Sequence, residues 1–146
     1  MKKLAGIIAL FLTLLAASSC KSRKAEFNEV KDDSLTVQVL KIRNADEEGT
    51  IDLRVRIFPA HGLAEKSGKS TEEMWYATDS CFVLSTGGKE LIPVMQQPVA
   101  NGMKNSFEYL LLFEGAEVLD SRDMKLVYRD RHFTGKTYTM SLKSNN

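Results

Sequence analysis

Between residues 50 and 58 the side chains alternate without a break. Ile51, Leu53, Val55 and Ile57 are apolar, and Thr50, Asp52, Arg54 and Arg56 between them are polar. Successive side chains of an extended chain point to opposite faces, so a period of two buries one face and wets the other. A half-buried β-strand follows, and Pro59, which has no N–H for a ladder, is placed to end it.

The same period recurs along the chain. Leu35, Val37 and Val39 begin a similar strand, and the shift to Leu40 and Ile42 predicts a bulge or a change of face. Residues 78–85 are apolar on both faces at their centre, as in a central strand. Gly87-Gly88 makes a short turn into residues 89–96, where Pro93 argues for an edge position. Asn101-Gly102 lies within the next loop. In residues 106–113, Phe107, Tyr109, Leu111 and Phe113 share one face, with Leu110 and Leu112 on the other. Met124, Leu126 and Tyr128 alternate inward, as do Tyr138, Met140 and Leu142. About seven strands, no amphipathic helix and no repeat of fixed period predict an all-β, immunoglobulin-like antiparallel β-sandwich. An up-and-down barrel and a transthyretin-like sandwich are the competing arrangements. The cysteine pair of antibody domains is missing, so the immunoglobulin likeness is one of architecture.

The order Phe82-Val83-Leu84, Gly88-Lys89-Glu90-Leu91, Asn101-Gly102, residues 107–114 and Leu126-Val127-Tyr128-Arg129-Asp130 resembles telokin-like, immunoglobulin-like domains of bacterial lipoproteins. The resemblance spans residues 75–143. It implies an extracytoplasmic β-sandwich and supplies no catalytic residues to carry over.

The amino terminus has a different character. Lys2 and Lys3 precede an uncharged apolar run over residues 4–17, followed by Ser18, Ser19 and Cys20. A bilayer span takes roughly 20 apolar residues, so this run is short for one and fits the core of a secretory signal better than an uncleaved anchor. Ala17-Ser18-Ser19-Cys20 resembles the lipobox of bacterial lipoproteins, with Ala17 where Leu is commonest. The resemblance implies a signal peptide over residues 1–19, cleavage before Cys20, and lipidation of the Cys20 thiol. Lys21 is not the Asp associated with inner-membrane retention in enteric bacteria, and Ser22-Arg23-Lys24 is not the acidic run that some groups use for surface export. An outer-membrane lipoprotein on the periplasmic face is the expectation. Residues 20–33 are highly charged and read as a lipidated, flexible tether, about 20 Å between ends as a coil and about 45 Å when stretched. The sandwich domain is assigned to residues 34–146.

Removal of 19 residues leaves 127 of the 146. It takes two lysines from a chain with 20 basic and 19 acidic residues, for a net charge of −1. That balance gives no electrostatic footprint for nucleic acid. With Cys20 lipidated, Cys81 is the one remaining thiol and no internal disulfide can form. Its run, Cys81-Phe82-Val83-Leu84, predicts a buried small hydrophobe in place of a reactive group.

If the strands follow immunoglobulin order, the loops 59–77, 97–105 and 130–135 share one pole. The first is long for a compact domain. His61, Trp75, Tyr76, Arg131, His132 and Phe133 then converge there. Four readings compete: a protein-partner surface, since Trp, Tyr and Arg concentrate at hot spots; a glycan platform on Trp75 or Tyr76; a metal site on His61 and His132; or closure of the core by Trp75 and Phe133 with the histidines in water. No ligand motif supports a metal or other cofactor. Cys81 with His132 lacks an orienting third group, and the chain shows neither a nucleophile elbow nor a glycine-rich phosphate cradle. The expectation is a non-enzymatic lipoprotein held to the envelope by covalent lipid and binding a protein partner, as an accessory subunit of an envelope or secretion complex. A glycan-binding lipoprotein of a nutrient-uptake system is the alternative.

Overall fold

The computed structural model describes residues 27–42, 49–115 and 123–142. The signal peptide, Cys20 and residues 21–26 of the expected tether lie outside the described residues.

The described chain forms two antiparallel sheets. One contains β1 (Asn28–Lys31), β2 (Leu35–Ile42), β3 (Thr50–Pro59), β7 (Phe107–Glu114) and β6 (Met95–Pro98), in that spatial order. The other contains β5 (Lys89–Leu91), β4 (Phe82–Thr86), β8 (Lys125–Arg129) and β9 (Thr137–Ser141). Apart from the extra edge strand β1, the order is that of an immunoglobulin sandwich, A-B-E-D facing C′-C-F-G. The all-β sandwich expected from the alternation is therefore what forms, with nine strands among the described residues in place of about seven.

The core is built by the alternating residues themselves. Val37, Val39, Leu53, Val55, Tyr109, Leu111 and Phe113 of the first sheet bury against Phe82, Leu84, Leu126, Tyr128 and Met140 of the second. β4 is apolar and buried on both faces through Phe82, Val83 and Leu84, and it lies inside its sheet, between β5 and β8. The Gly87-Gly88 turn after it has φ of 54° and 76°, the left-handed pair that a two-residue hairpin requires and that glycine adopts without strain.

Two expectations are corrected, and of the two alternatives for β2 the change of face is the one that forms. No bulge interrupts β2: its register against β3 runs unbroken from Leu35 opposite Pro59 to Ile42 opposite Asp52. The apolar residues simply pass to the outer face at Leu40 and Ile42. Residues 89–96 are not one edge strand but two. The chain leaves the second sheet after Leu91, crosses at Pro93 and joins the first sheet at Met95.

The tether is shorter than its composition implies. Asn28–Lys31 pairs with β2, Asn28 opposite Val39 and Lys31 opposite Thr36, and Val30 packs on the core. Charged residues are tolerated because an edge strand exposes one side to water, so composition alone reads as coil. The Asp32 carboxylate fastens this hairpin. Oδ1 accepts from the N–H groups of Ser34 (2.8 Å) and Leu35 (2.9 Å); Oδ2 accepts from Lys136 Nζ (2.7 Å) and the Tyr138 hydroxyl (3.1 Å). The Lys136 ammonium and these N–H groups hold the carboxyl well below the usual carboxylate range. They also tie β1–β2 of one sheet to β9 of the other.

Leu53 is fully buried at the centre of this packing. Leu53→Ala is expected to cost about 2–5 kcal/mol, whereas Ile92→Ala on the exposed crossover changes stability by less than about 0.5 kcal/mol. Urea unfolding of the two variants, with the slope unchanged, checks this contrast.

Candidate functional site

The three loops named above do share one pole. β3 ends, β4 begins, β7 begins and β8 ends there: Leu35 lies opposite Pro59, Ile57 opposite Phe107, and Phe82 opposite Tyr128. Residues 59–81, 99–106 and 130–136 therefore crowd together: side-chain bonds join the first to the last, and the middle one faces the first across a cleft.

The long segment is not coil throughout. Two single-turn helices, α1 (Leu63–Lys66) and α2 (Thr71–Tyr76), interrupt it. The second has a sequence signal that strand-period reading passes over. In Ser70-Thr71-Glu72-Glu73 the Ser70 hydroxyl caps the helix, accepting from the Glu73 N–H at 3.0 Å. The turn sends Met74 into the core and lays Trp75 over it. The Trp75 indole meets the rings of Phe107 (5.1 Å between centroids) and Tyr109 (5.9 Å). The Tyr109 hydroxyl donates to the Met74 carbonyl at 2.7 Å.

Asp130 organises the last loop. Its Oδ1 accepts from the N–H groups of His132 (3.0 Å) and Phe133 (3.2 Å) and from the Tyr128 hydroxyl (3.1 Å). Oδ2 accepts from the Thr134 N–H (2.5 Å) and hydroxyl (2.7 Å). Burial opposes ionisation here, yet the hydrogen bonds from Thr134, His132 and Phe133 outweigh it, so the carboxyl titrates below its ordinary value. The loop so shaped sends His132 and Phe133 in and Arg131 out.

The six residues expected to converge have different fates. His132 is buried, with Nε2 2.9 Å from the Ala77 carbonyl and Nδ1 3.3 Å from Lys69 Nζ. A carbonyl and an ammonium as neighbours define a neutral ring that donates from Nε2 and accepts at Nδ1. Burial and then the Lys69 charge push its pKa down. Both nitrogens are thereby occupied, which removes His132 as a free metal ligand. His61 lies exposed in the turn after β3, outside this network. Among the described residues no group of three or more His, Cys, Asp or Glu is placed to hold a metal. Phe133 packs on Phe107 (5.5 Å) and helps to close the core. Tyr76 is 67 % exposed, and Arg131 is exposed with Nη1 3.4 Å from the Asp79 carbonyl. Trp75 does both jobs, half-buried on the core and half open.

Its open side lines a cleft of about 350 Å³ between α2 and the loop before β7. Lys69, Thr71, Asn105, Ser106 and Phe107 complete its walls. Lys69 was not among the expected residues, yet it links the segments. Its Nζ donates to the Arg131 carbonyl (2.8 Å) and approaches Glu73 Oε1 (3.7 Å). Cys81 is wholly buried beneath the pole, and desolvation first of all raises its thiol pKa. It is a core residue and no nucleophile in this setting.

The neutral His132 gives the pole a pH dependence of definite sign. The fold favours the uncharged ring, so below its ordinary pKa of 6.5 the unfolded chain binds the extra proton. The contribution is full above that value and is lost as pH falls towards the lowered folded one. Asp32 and Asp130, both depressed, act in a separate window below the carboxylate range. The urea midpoint is expected to fall between about pH 7 and pH 5.5, and His132→Gln to flatten that slope.

Comparison with protein-family models, curated proteins and solved structures finds no match to this chain in any of the three.

Proposed function

We propose that the protein is an envelope lipoprotein, anchored through Cys20 on the periplasmic face of the outer membrane, whose sandwich binds a protein partner without catalysing a reaction. One observation carries the reading. The side chains suited to recognition, Trp75, Tyr76 and Arg131, gather at one end of the sandwich, while β1 starts at mid-sheet and runs towards that end, Asn28 opposite Val39 and Lys31 opposite Thr36. The chain thus enters β1 from the side away from that end, so a lipid at Cys20 would hold the domain to the bilayer from that side and leave the recognition end facing the periplasm. Tyr76 offers a wide ring at little entropic cost, Arg131 a planar cation, and the Trp75 cleft a pocket for an anchoring side chain. The interaction module fits an accessory role in an envelope or secretion complex.

A glycan ligand is the second reading, favoured by the cleft itself. Trp75 and Phe107 supply an apolar platform, and Thr71, Asn105 and Ser106 supply hydroxyl and amide groups at its rim. Quenching or enhancement of Trp75 fluorescence on titration with envelope oligosaccharides would favour it over a protein partner.

The anchor is tested by mass spectrometry of the purified native protein. The expected amino terminus is an acylated Cys20, and Cys20→Ala is expected to leave the membrane fraction; a chain that begins at Met1 with free sulfur at position 20 overturns the anchor. The binding end is tested by a photo-crosslinking residue at position 76, with position 90 on the flank of the sandwich as control. A discrete adduct from 76 that Arg131→Ala weakens several-fold supports the partner reading, and equal yields at both positions overturn it.

A further inference from the structure

The end of the sandwich away from the pole carries an apolar feature that the core does not absorb. At the sheet-to-sheet crossover Ile92 is 72 % exposed, Val94 56 % and Met95 39 %, consecutive apart from Pro93. Scattered exposed apolar residues need no explanation, but these three follow one another in the chain and adjoin the outer face of β7. Met95 lies opposite Leu112, and the Val94 N–H donates to the Leu112 carbonyl at 2.8 Å. Leu110 and Leu112 are half-buried on the outer face of β7, and their partners Arg54 and Asp52 of β3 bound the apolar patch on the other side.

The crossover stays at this end of the molecule. A Cβ placed on Gly115, just past the end of β7, would sit 3.5 Å from the Leu91 side chain. Sheet order puts β1 and β6 at opposite edges, four strand spacings or about 19 Å apart. Seven peptide steps separate Cys20 from Phe27, a span of about 15 Å as a flexible coil and at most about 24 Å. Asn28 lies level with Tyr109 and Met95 with Leu112, three residues or about 10 Å further along, so the direct span is about 22 Å and a nearly stretched tether from an acylated Cys20 reaches as far as the crossover.

We infer that the Ile92–Met95 crossover is a membrane-contact surface, its apolar side chains entering the boundary between headgroups and acyl chains of the bilayer that holds Cys20. The inference rests on the anchor proposed above. Lipid and crossover then fix the domain at two points, where a lone flexible tether would leave it free to tumble. Insertion to about 5–10 Å is the depth that interfacial apolar side chains reach.

The test supplies the anchor artificially, so that its failure is separate from any failure of Cys20 lipidation. Residues 21–146, which keep all nine strands, carry a histidine tag in place of residues 1–20. They are bound to vesicles of phosphatidylethanolamine, phosphatidylglycerol and a nickel-chelating lipid. An environment-sensitive fluorophore is attached through Val94→Cys or, as control, Tyr76→Cys; Cys81 is shielded by burial. Tethering is expected to raise emission several-fold at position 94, with a blue shift and quenching by nitroxide-labelled lipid, and to leave position 76 in water. Ile92→Asn should reduce the change at 94 without altering tag-mediated binding. A water-like signal at both positions, a lipid-like signal at both, or one confined to 76 overturns the inference.

Discussion

Tyr109 sits on β7 of the first sheet, with its ring against Phe82 of the second and against Trp75 of the helical turn at the pole. Its hydroxyl, buried, donates to the Met74 carbonyl in the same turn. Desolvation drives the phenol pKa far above its ordinary value, so it remains a donor throughout the working pH range. One side chain thus joins sheet to sheet and sheet to loop. Such aromatic contacts carry directional preference beyond the area they bury. The stack continues through Phe82 to Tyr128 (5.1 Å) and Tyr138 (6.2 Å). Tyr128 in turn reaches Asp130, and Tyr138 reaches Asp32. The polar clasps at the pole are therefore mounted on the aromatic core.

Much of this fold was legible because period-two alternation is a local property. β3, β7, β8 and β9 could be read residue by residue, and loop convergence followed once immunoglobulin order was assumed. What escaped depends on partners distant in sequence. β1 looks like a charged linker until β2 pairs with it and Asp32 finds Lys136. Glu108 looks like an outward strand residue, yet it is only 2 % exposed. Arg56 Nε donates to its Oε2 at 2.9 Å, and Arg54 Nε approaches Oε1 at 3.3 Å without the alignment of a hydrogen bond. Nothing near Glu108 in the chain announces that cross-strand pair.

The candidate site was legible in location and less so in role. Trp75, Arg131, His132 and Phe133 do meet at one pole, but two of them serve the core. Whether His132 faced water or protein turned on the Asp130 loop, whose five donors come from within six residues. That pattern, an Asp followed four residues later by Thr, was visible in sequence but is common in loops that bury nothing. Lys69 carries even less local signal, since the two partners that tie it to the last loop, Arg131 and His132, lie more than sixty residues away.

Cys81 has a consequence of its own. Its sulfur lies under the pole where the 59–81 segment joins β4, sealed by the same packing that sets Met74 and Trp75. A thiol reagent can reach it only when that lid of chain lifts. Cys81 is the one free thiol among the described residues, so the rate of its alkylation reads how often the domain opens at this pole. The molecule carries its own stopwatch for that opening.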